Sequence, residues 1–269
     1  MGIIKKTFHL KNQKVKIKPN KEKNTMKILI TGAFGKLGKE LIKNFPKALT
    51  PTRQEMDITN LKSIYDYISQ HQPDIVVHLA ALTDIRKCEE NKKLAQKTNV
   101  LGTKNLIKAS LSANNKCYFV YISTACVFHG DRGNYSEKDL PYPKNFYSLT
   151  KFLGEIMIEH YGKKANWLII RTNFVAREKW PYPKAFIDRW GTYLFADDLA
   201  IAIKKVINQK LIGIIHICGE KKLSMYELAK ITTPNVQPMS LTDYSGPTIT
   251  QDMSLISKRI DTFKLRLKI

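Results

Sequence analysis

The chain has 269 residues, 45 Lys and Arg against 23 Asp and Glu, and a formal net charge of +22 at pH 7. That length allows one full core or a domain and a half, and no apolar run approaches the roughly 18–20 residues that span a bilayer, so a soluble, cytoplasmic chain is expected. The four cysteines (Cys88, Cys117, Cys126, Cys218) show no paired spacing and the six histidines are dispersed, which argues against a disulfide framework and against a metal site.

Residues 1–25 hold eight lysines and one glutamate, with few apolar residues and no signal-peptide core. They read as a basic, disordered arm, or as an upstream start before Met26. Lysine is spread throughout, so the charge reads as composition bias or as a field for anionic ligands, not as a nucleic-acid surface.

Ile28-Leu-Ile30 is short, β-branched and non-alternating, as a buried parallel strand would be. Gly32, Gly35 and Gly38 follow at spacing three, then Leu37, Leu41 and Ile42 at helical spacing. Strand, glycine turn and helix together seat a dinucleotide pyrophosphate, because the helix start offers free N–H groups. The spacing differs from Gly-x-Gly-x-x-Gly, so this turn needs support from the rest of the chain.

Ala48-Leu-Thr50 predicts a second strand. Thr52 and Arg53 follow it where an acidic residue would bind the ribose of NAD, and a cation suits the 2′-phosphate of NADP. Met56-Asp57-Ile58-Thr59 opens a helix capped by Thr59 or Asn60, with its body over Leu61 to Gln70. Asp74 to Ala81 predicts a buried strand, with His78 as a packed core histidine and Ala80 and Ala81 small enough for a ligand to lie against backbone. A helix follows over Lys92 to Leu111, then a strand over Cys117 to Ser123 ending in Ser123-Thr-Ala-Cys126. Residues 129–145 read as a loop, a helix starts near Asn145, and Asn166 to Arg171 is a fifth strand. The segment 172–194, rich in aromatics and prolines, reads as irregular. Beyond it come a helix (Asp197 to Ile207), a strand (Gly213 to Ile217) and a capped helix (Ser224 to Ile231). The alternation predicts an α/β, Rossmann-like, doubly wound parallel sheet.

Tyr147 and Lys151 are four apart on one helix face. A tyrosine has a pKa of about 10, and a nearby ammonium brings it toward the range useful for proton exchange with a carbonyl or alcohol oxygen. Thr124 or Ser123, at a strand end, can orient the same oxygen, and Lys151 can hold a nicotinamide ribose. A second Tyr-x-x-x-Lys, Tyr226 to Lys230, lacks that company and reads as half-buried packing.

In this order the motifs resemble the extended short-chain dehydrogenase/reductase family, in its dTDP-4-dehydrorhamnose reductase-like branch. The resemblance rests on Thr31-Gly-Ala-Phe-Gly-Lys-Leu-Gly38, Met56-Asp-Ile-Thr59, His78-Leu-Ala-Ala-Leu-Thr83, Asn99-Val-Leu-Gly-Thr103, Ser123-Thr-Ala-Cys-Val-Phe128 and Tyr147-Ser-Leu-Thr-Lys151. Ala196-Asp-Asp-Leu-Ala200 and Gly213-Ile-Ile-His-Ile-Cys-Gly219 extend it toward the C-terminus. It implies a cofactor domain over 26–171 and, over 172–269, a small C-terminal substrate lobe with some elements returning to the first. It implies Thr124, Tyr147 and Lys151 as catalytic residues. Gly32, Phe34, Gly35, Lys36, Leu37, Arg53, Asp57, Ile58, Ala80 and Ala81 would hold NADP, or NAD, together with Tyr147 and Lys151. The implied partner is a nucleotide-linked 4-keto-6-deoxy sugar, contacted by Thr83, Cys126 and Asn173, with a homodimer left open.

The chain departs from the family in two places. Ala125 and Cys126 stand where the branch has Asp-Tyr, and the segment between Asn173 and Asp197 is short, which removes part of the expected substrate wall. Cys126 also resembles the acid/base of bifunctional epimerase/reductases, and the short segment fits a non-catalytic module like the regulatory subunit of methionine adenosyltransferase. These are the alternatives to a reductase.

Overall fold

The computed structural model describes residues 26–162 and 166–266. The basic arm expected over 1–25 lies outside them. Five parallel strands form the main sheet in the order β1 (Ile28–Thr31), β2 (Ile75–His78), β3 (Tyr118–Ile122), β4 (Trp167–Thr172) and β9 (Gly213–Ile217). Each central strand is a run of β-branched and aromatic residues with both faces covered, as buried parallel strands are.

Two apolar layers cover the sheet. On one face α1 (Lys36–Asn44) and α7 (Ala196–Asn208) pack Leu37, Leu41, Leu199 and Ile203 against Ile30, Val77, Val120 and Ile170. On the other, α2 (Leu61–His71), α5 (Thr103–Ala113) and α6 (Phe146–Tyr161) bring Ile64, Ile68, Leu106, Ile107 and Ile158 onto Leu29, Val76 and Phe119. The doubly wound arrangement is therefore present. Asn60 is the cap of α2, its Oδ1 accepting from Ser63 N at 3.2 Å. His78 is fully buried, and Tyr226 is half-buried against the Ala185, Ala229 and Val236 cluster.

Three expectations are corrected. The strand at Ala48–Thr50 shrinks to one parallel bridge, Leu29 to Leu49, because Pro46 and Pro51 bracket it and prolines do not extend a ladder. The single helix expected over Lys92–Leu111 is divided, with α4 (Lys92–Gln96), a π turn (Lys97–Gly102) and then α5, and it is preceded by α3 (Ile85–Glu90). The segment 172–194 is not merely irregular. It forms β5 (Phe174–Val175), β6 (Lys184–Phe186), β7 (Trp190–Gly191) and the start of β8 (Leu194–Phe195). Here β5 pairs with β8, β6 with β11 (Gln237–Met239), and β7 with both β10 (Leu223–Ser224) and β12 (Asp252–Met253). No helix among the described residues is long and apolar enough to cross a membrane, and no His, Cys, Asp and Glu group there could hold a metal. The four cysteines are buried and unpaired.

Candidate active site

The sheet reverses its strand order at β1, which has the Leu49 bridge on one side and β2 on the other. In such sheets ligands sit beyond the carboxyl ends of the strands at that reversal. A cleft of about 900 Å³ opens there, and every residue nominated from the sequence lines it.

The glycine turn forms one end. Gly32 has φ +69°, and a side chain there would lie 2.7 Å from the backbone nitrogen of Ala80, so only glycine lets the turn rest on the β2 end. Gly35 N–H closes the turn onto Gly32 O at 3.1 Å. Gly35 then starts α1 with extended backbone and no side-chain cap, which leaves first-turn N–H groups for an anion. This cradle fits a dinucleotide pyrophosphate. Phe34 and Lys36 are exposed at its lip and Leu37 is buried beneath.

Arg53 also lines the cleft, with Nε 3.4 Å from Asp57 Oδ2. Burial raises the Asp57 carboxyl, but hydrogen bonds from the Thr59 backbone and hydroxyl (both 2.8 Å) and the Arg53 cation outweigh it, so the group stays below its usual range.

The β2 end is locked by a directed chain. Thr103 donates to Asn99 O at 2.7 Å, so its hydroxyl accepts from His78 Nε2–H at 3.0 Å. His78 Nδ1 then accepts from the Thr31 hydroxyl at 2.7 Å, which in turn accepts Ala80 N–H at 3.3 Å. Burial, with the Lys151 charge adding to it, drives the His78 pKa down to about 3, so the ring is a neutral strut. Asn99 completes the lock by accepting from Leu82 N at 2.7 Å and donating to Leu82 O and Thr150 Oγ1, both at 2.9 Å. Sequence reading left Asn99 without a role. Its backbone setting, the π turn, has no simple periodic signature.

The third group sits past β3. Thr124, 8% exposed, accepts Cys126 N–H at 3.1 Å, which leaves its own proton to give away. Lys151 Nζ is buried, donates to Ile122 O at 2.8 Å, and lies 4.0 Å from the Tyr121 ring centre. Burial lowers its pKa to about 7, while Glu155 opposes the drop. Contrary to the expected lowering by Lys151, the Tyr147 pKa is raised, first by burial and then by Cys126, with a hydrogen bond from Thr124 pulling the other way. One turn beyond Lys151, Glu155 accepts from Ser123 Oγ at 2.5 Å and holds Arg171 through Nε (3.1 and 3.2 Å) and Nη2 (2.7 Å). The spacing Tyr147, Lys151, Glu155 was a readable signal for this residue.

The far wall is made of Asn173, Val175, Arg189, Tyr193, Met225 and Met253. The short 173–197 segment thus supplies a wall, which sequence reading did not assign beyond Asn173. Asn173 Nδ2 is engaged by Met253 O at 2.7 Å. Cys126 Sγ donates to Met253 Sδ at 3.2 Å. Thr83 is exposed at the rim.

Residues 26–190 match the family model described as "RmlD substrate binding domain". The chain is 32% identical over 222 residues to the spore coat polysaccharide biosynthesis protein SpsK of Bacillus subtilis, covering 76% of this chain and 77% of that protein. It is 26% identical over 235 residues to methionine adenosyltransferase 2 subunit beta of Rattus norvegicus, covering 76% and 70%. Its fold is similar to that of the crystal structure of dTDP-4-dehydrorhamnose reductase from Bacillus anthracis in complex with NADP, with a TM-score of 0.80, 26% identity, and 89% and 95% of the two chains covered. The chain belongs to the RmlD substrate binding domain family, within the dTDP-4-dehydrorhamnose reductase-like branch of the extended short-chain dehydrogenases/reductases.

Proposed function

We propose that this protein is an NADPH-preferring reductase of a nucleotide-linked 4-keto-6-deoxy sugar, similar to dTDP-4-dehydrorhamnose reductase. The observation that carries the reading is the convergence of Thr124, Tyr147 and Lys151 in one cleft with the glycine cradle. Gly32, Gly35 and the start of α1 would hold the dinucleotide in this cleft, and its nicotinamide would supply the hydride.

The chain's own residues handle the proton. Burial keeps Tyr147 a protonated phenol, a form that can give its proton to the sugar carbonyl oxygen as charge develops there. The Thr124 hydroxyl, which hydrogen-bonds Tyr147 in the free protein, can turn its proton to the same oxygen. When Lys151 is charged, it stabilises the phenolate that Tyr147 leaves behind. The buried Ile122 carbonyl fixes the ammonium in place.

Neither alternative is favoured. The Cys126 thiol points at a thioether, which is a weak acceptor and no base. A non-catalytic module has no use for a complete, convergent Thr124, Tyr147 and Lys151.

The test is Tyr147→Phe, measured by NADPH oxidation with dTDP-4-dehydrorhamnose and by NADPH titration. Turnover should fall by about 10² or more while NADPH still binds. Unchanged turnover would overturn the reading.

A further inference from the structure

Two hydroxyl groups lining the cleft are answered by no residue of the described chain. Tyr193 is 3% exposed, lines the cleft, and its Oη has no hydrogen-bond partner there. Thr172, at the carboxyl end of β4, is also 3% exposed, lines the same cleft, and its Oγ1 has none either. Buried polar groups are nearly always paired, so each unpaired one calls for an explanation.

Packing alone does not explain Tyr193. Its ring lies among Cys126, Cys218, Met253 and Leu255, where a phenylalanine would fit without leaving a polar atom unmet. The fold also makes room for it: a side chain at Gly191 would sit 2.7 Å from the ring carbon Cζ. Tyr193, Cys126 and the proposed proton donor Tyr147 line the same cleft. A ligand rich in hydroxyls supplies both a donor and an acceptor at each position, and a sugar ring does so.

We propose that Tyr193 is a specificity-determining residue, its hydroxyl acting with that of Thr172 to hold ring hydroxyls of the nucleotide-linked sugar. The inference rests on the sugar-nucleotide reading above and adds the contact that would select the sugar. A site built to bond a hydroxyl rejects ligands that lack it far more strongly than an apolar pocket can.

The experiment compares wild type, Tyr193→Phe and Thr172→Val in the full chain. Three quantities are read: melting temperature, NADPH affinity, and affinity for dTDP-4-dehydrorhamnose against dTDP alone. Tyr193→Phe should keep or raise the melting temperature, because it removes an unmet buried hydroxyl. NADPH and dTDP affinities should hold, while binding of the sugar nucleotide weakens roughly tenfold, a difference of about one 1.4 kcal/mol step. Thr172→Val, at the end of β4, should give the same split. An active wild type with unchanged sugar-nucleotide affinity in both variants overturns this inference alone, as does equal weakening toward dTDP. A wild type that binds no sugar nucleotide and oxidises no NADPH removes the functional reading and this inference with it.

Discussion

Lys151 Nζ donates to the carbonyl oxygen of Ile122 at 2.8 Å, both residues lining the cleft. Its pKa is lowered to about 7 by burial, so the ammonium is nearly complete below about pH 6, half present near 7 and lost above it. Tyr147, by contrast, stays protonated through the neutral range. In the reductive direction the expected rate limb is therefore set by Lys151. The value of kcat/KM should be flat below about pH 6 and fall as pH rises through about 7. Lys151→Met should remove that limb and lower kcat/KM by about 10². A profile that rises through pH 7 would contradict the assignment.

Arg53 leans on Asp57 through a single exposed contact of 3.4 Å. Nothing in that contact consumes the rest of its guanidinium, and the side chain stands at the cleft rim. Arg53→Ala should weaken NADPH binding roughly tenfold, the equivalent of about 1.4 kcal/mol, and leave NADH nearly unchanged. Titration of both cofactors checks this, and an equal loss for both would assign Arg53 to the turn instead of to a 2′-phosphate.

That Tyr147, Lys151 and the glycine turn share one cleft was legible because their signals are local. Tyr147 and Lys151 are one helical turn apart, Gly32 follows a buried strand directly, and His78 sits inside an apolar run. The unread parts depend on distance in sequence. Asn99 acts on Leu82 across 17 residues and through a π turn. Asn173 meets Met253 across 80 residues, so no window of sequence displays the far wall. At Leu49 the local apolar pattern suggests a full strand, while the flanking prolines limit pairing to one bridge.

Glu155 and Arg171 form a bidentate pair with side chains only 2% and 3% exposed. Removing one partner of such a pair leaves a buried charge and costs about 3–5 kcal/mol, whereas replacing both with apolar residues is often close to neutral. Glu155→Gln should therefore lower stability by about that amount. It should also move the Lys151 rate limb to lower pH, since Glu155 is what opposes the effect of burial on that lysine. Glu155→Met combined with Arg171→Met should recover most of the stability but not the position of the limb. Denaturant unfolding and pH profiles of the three variants separate the two roles.

His78 and His216 are both buried neutral, with pKa values lowered chiefly by burial to about 3 and about 4. In the unfolded chain each returns to about 6.5. The folded values are the lower ones, so the contribution of these groups to stability is whole above about pH 6.5 and drains away as pH falls toward 4. Near pH 5 both rings are charged when unfolded and neutral when folded, so unfolding takes up two protons, and stability should drop by about 2.7 kcal/mol per pH unit. Carboxylates held low, such as Asp57 and Asp252, enter only at lower pH. Urea titrations at pH 7, 6 and 5 measure the slope. His78→Gln should reduce it by about half, and a flat response between pH 6.5 and 5 would show that the two rings are not held neutral by the fold.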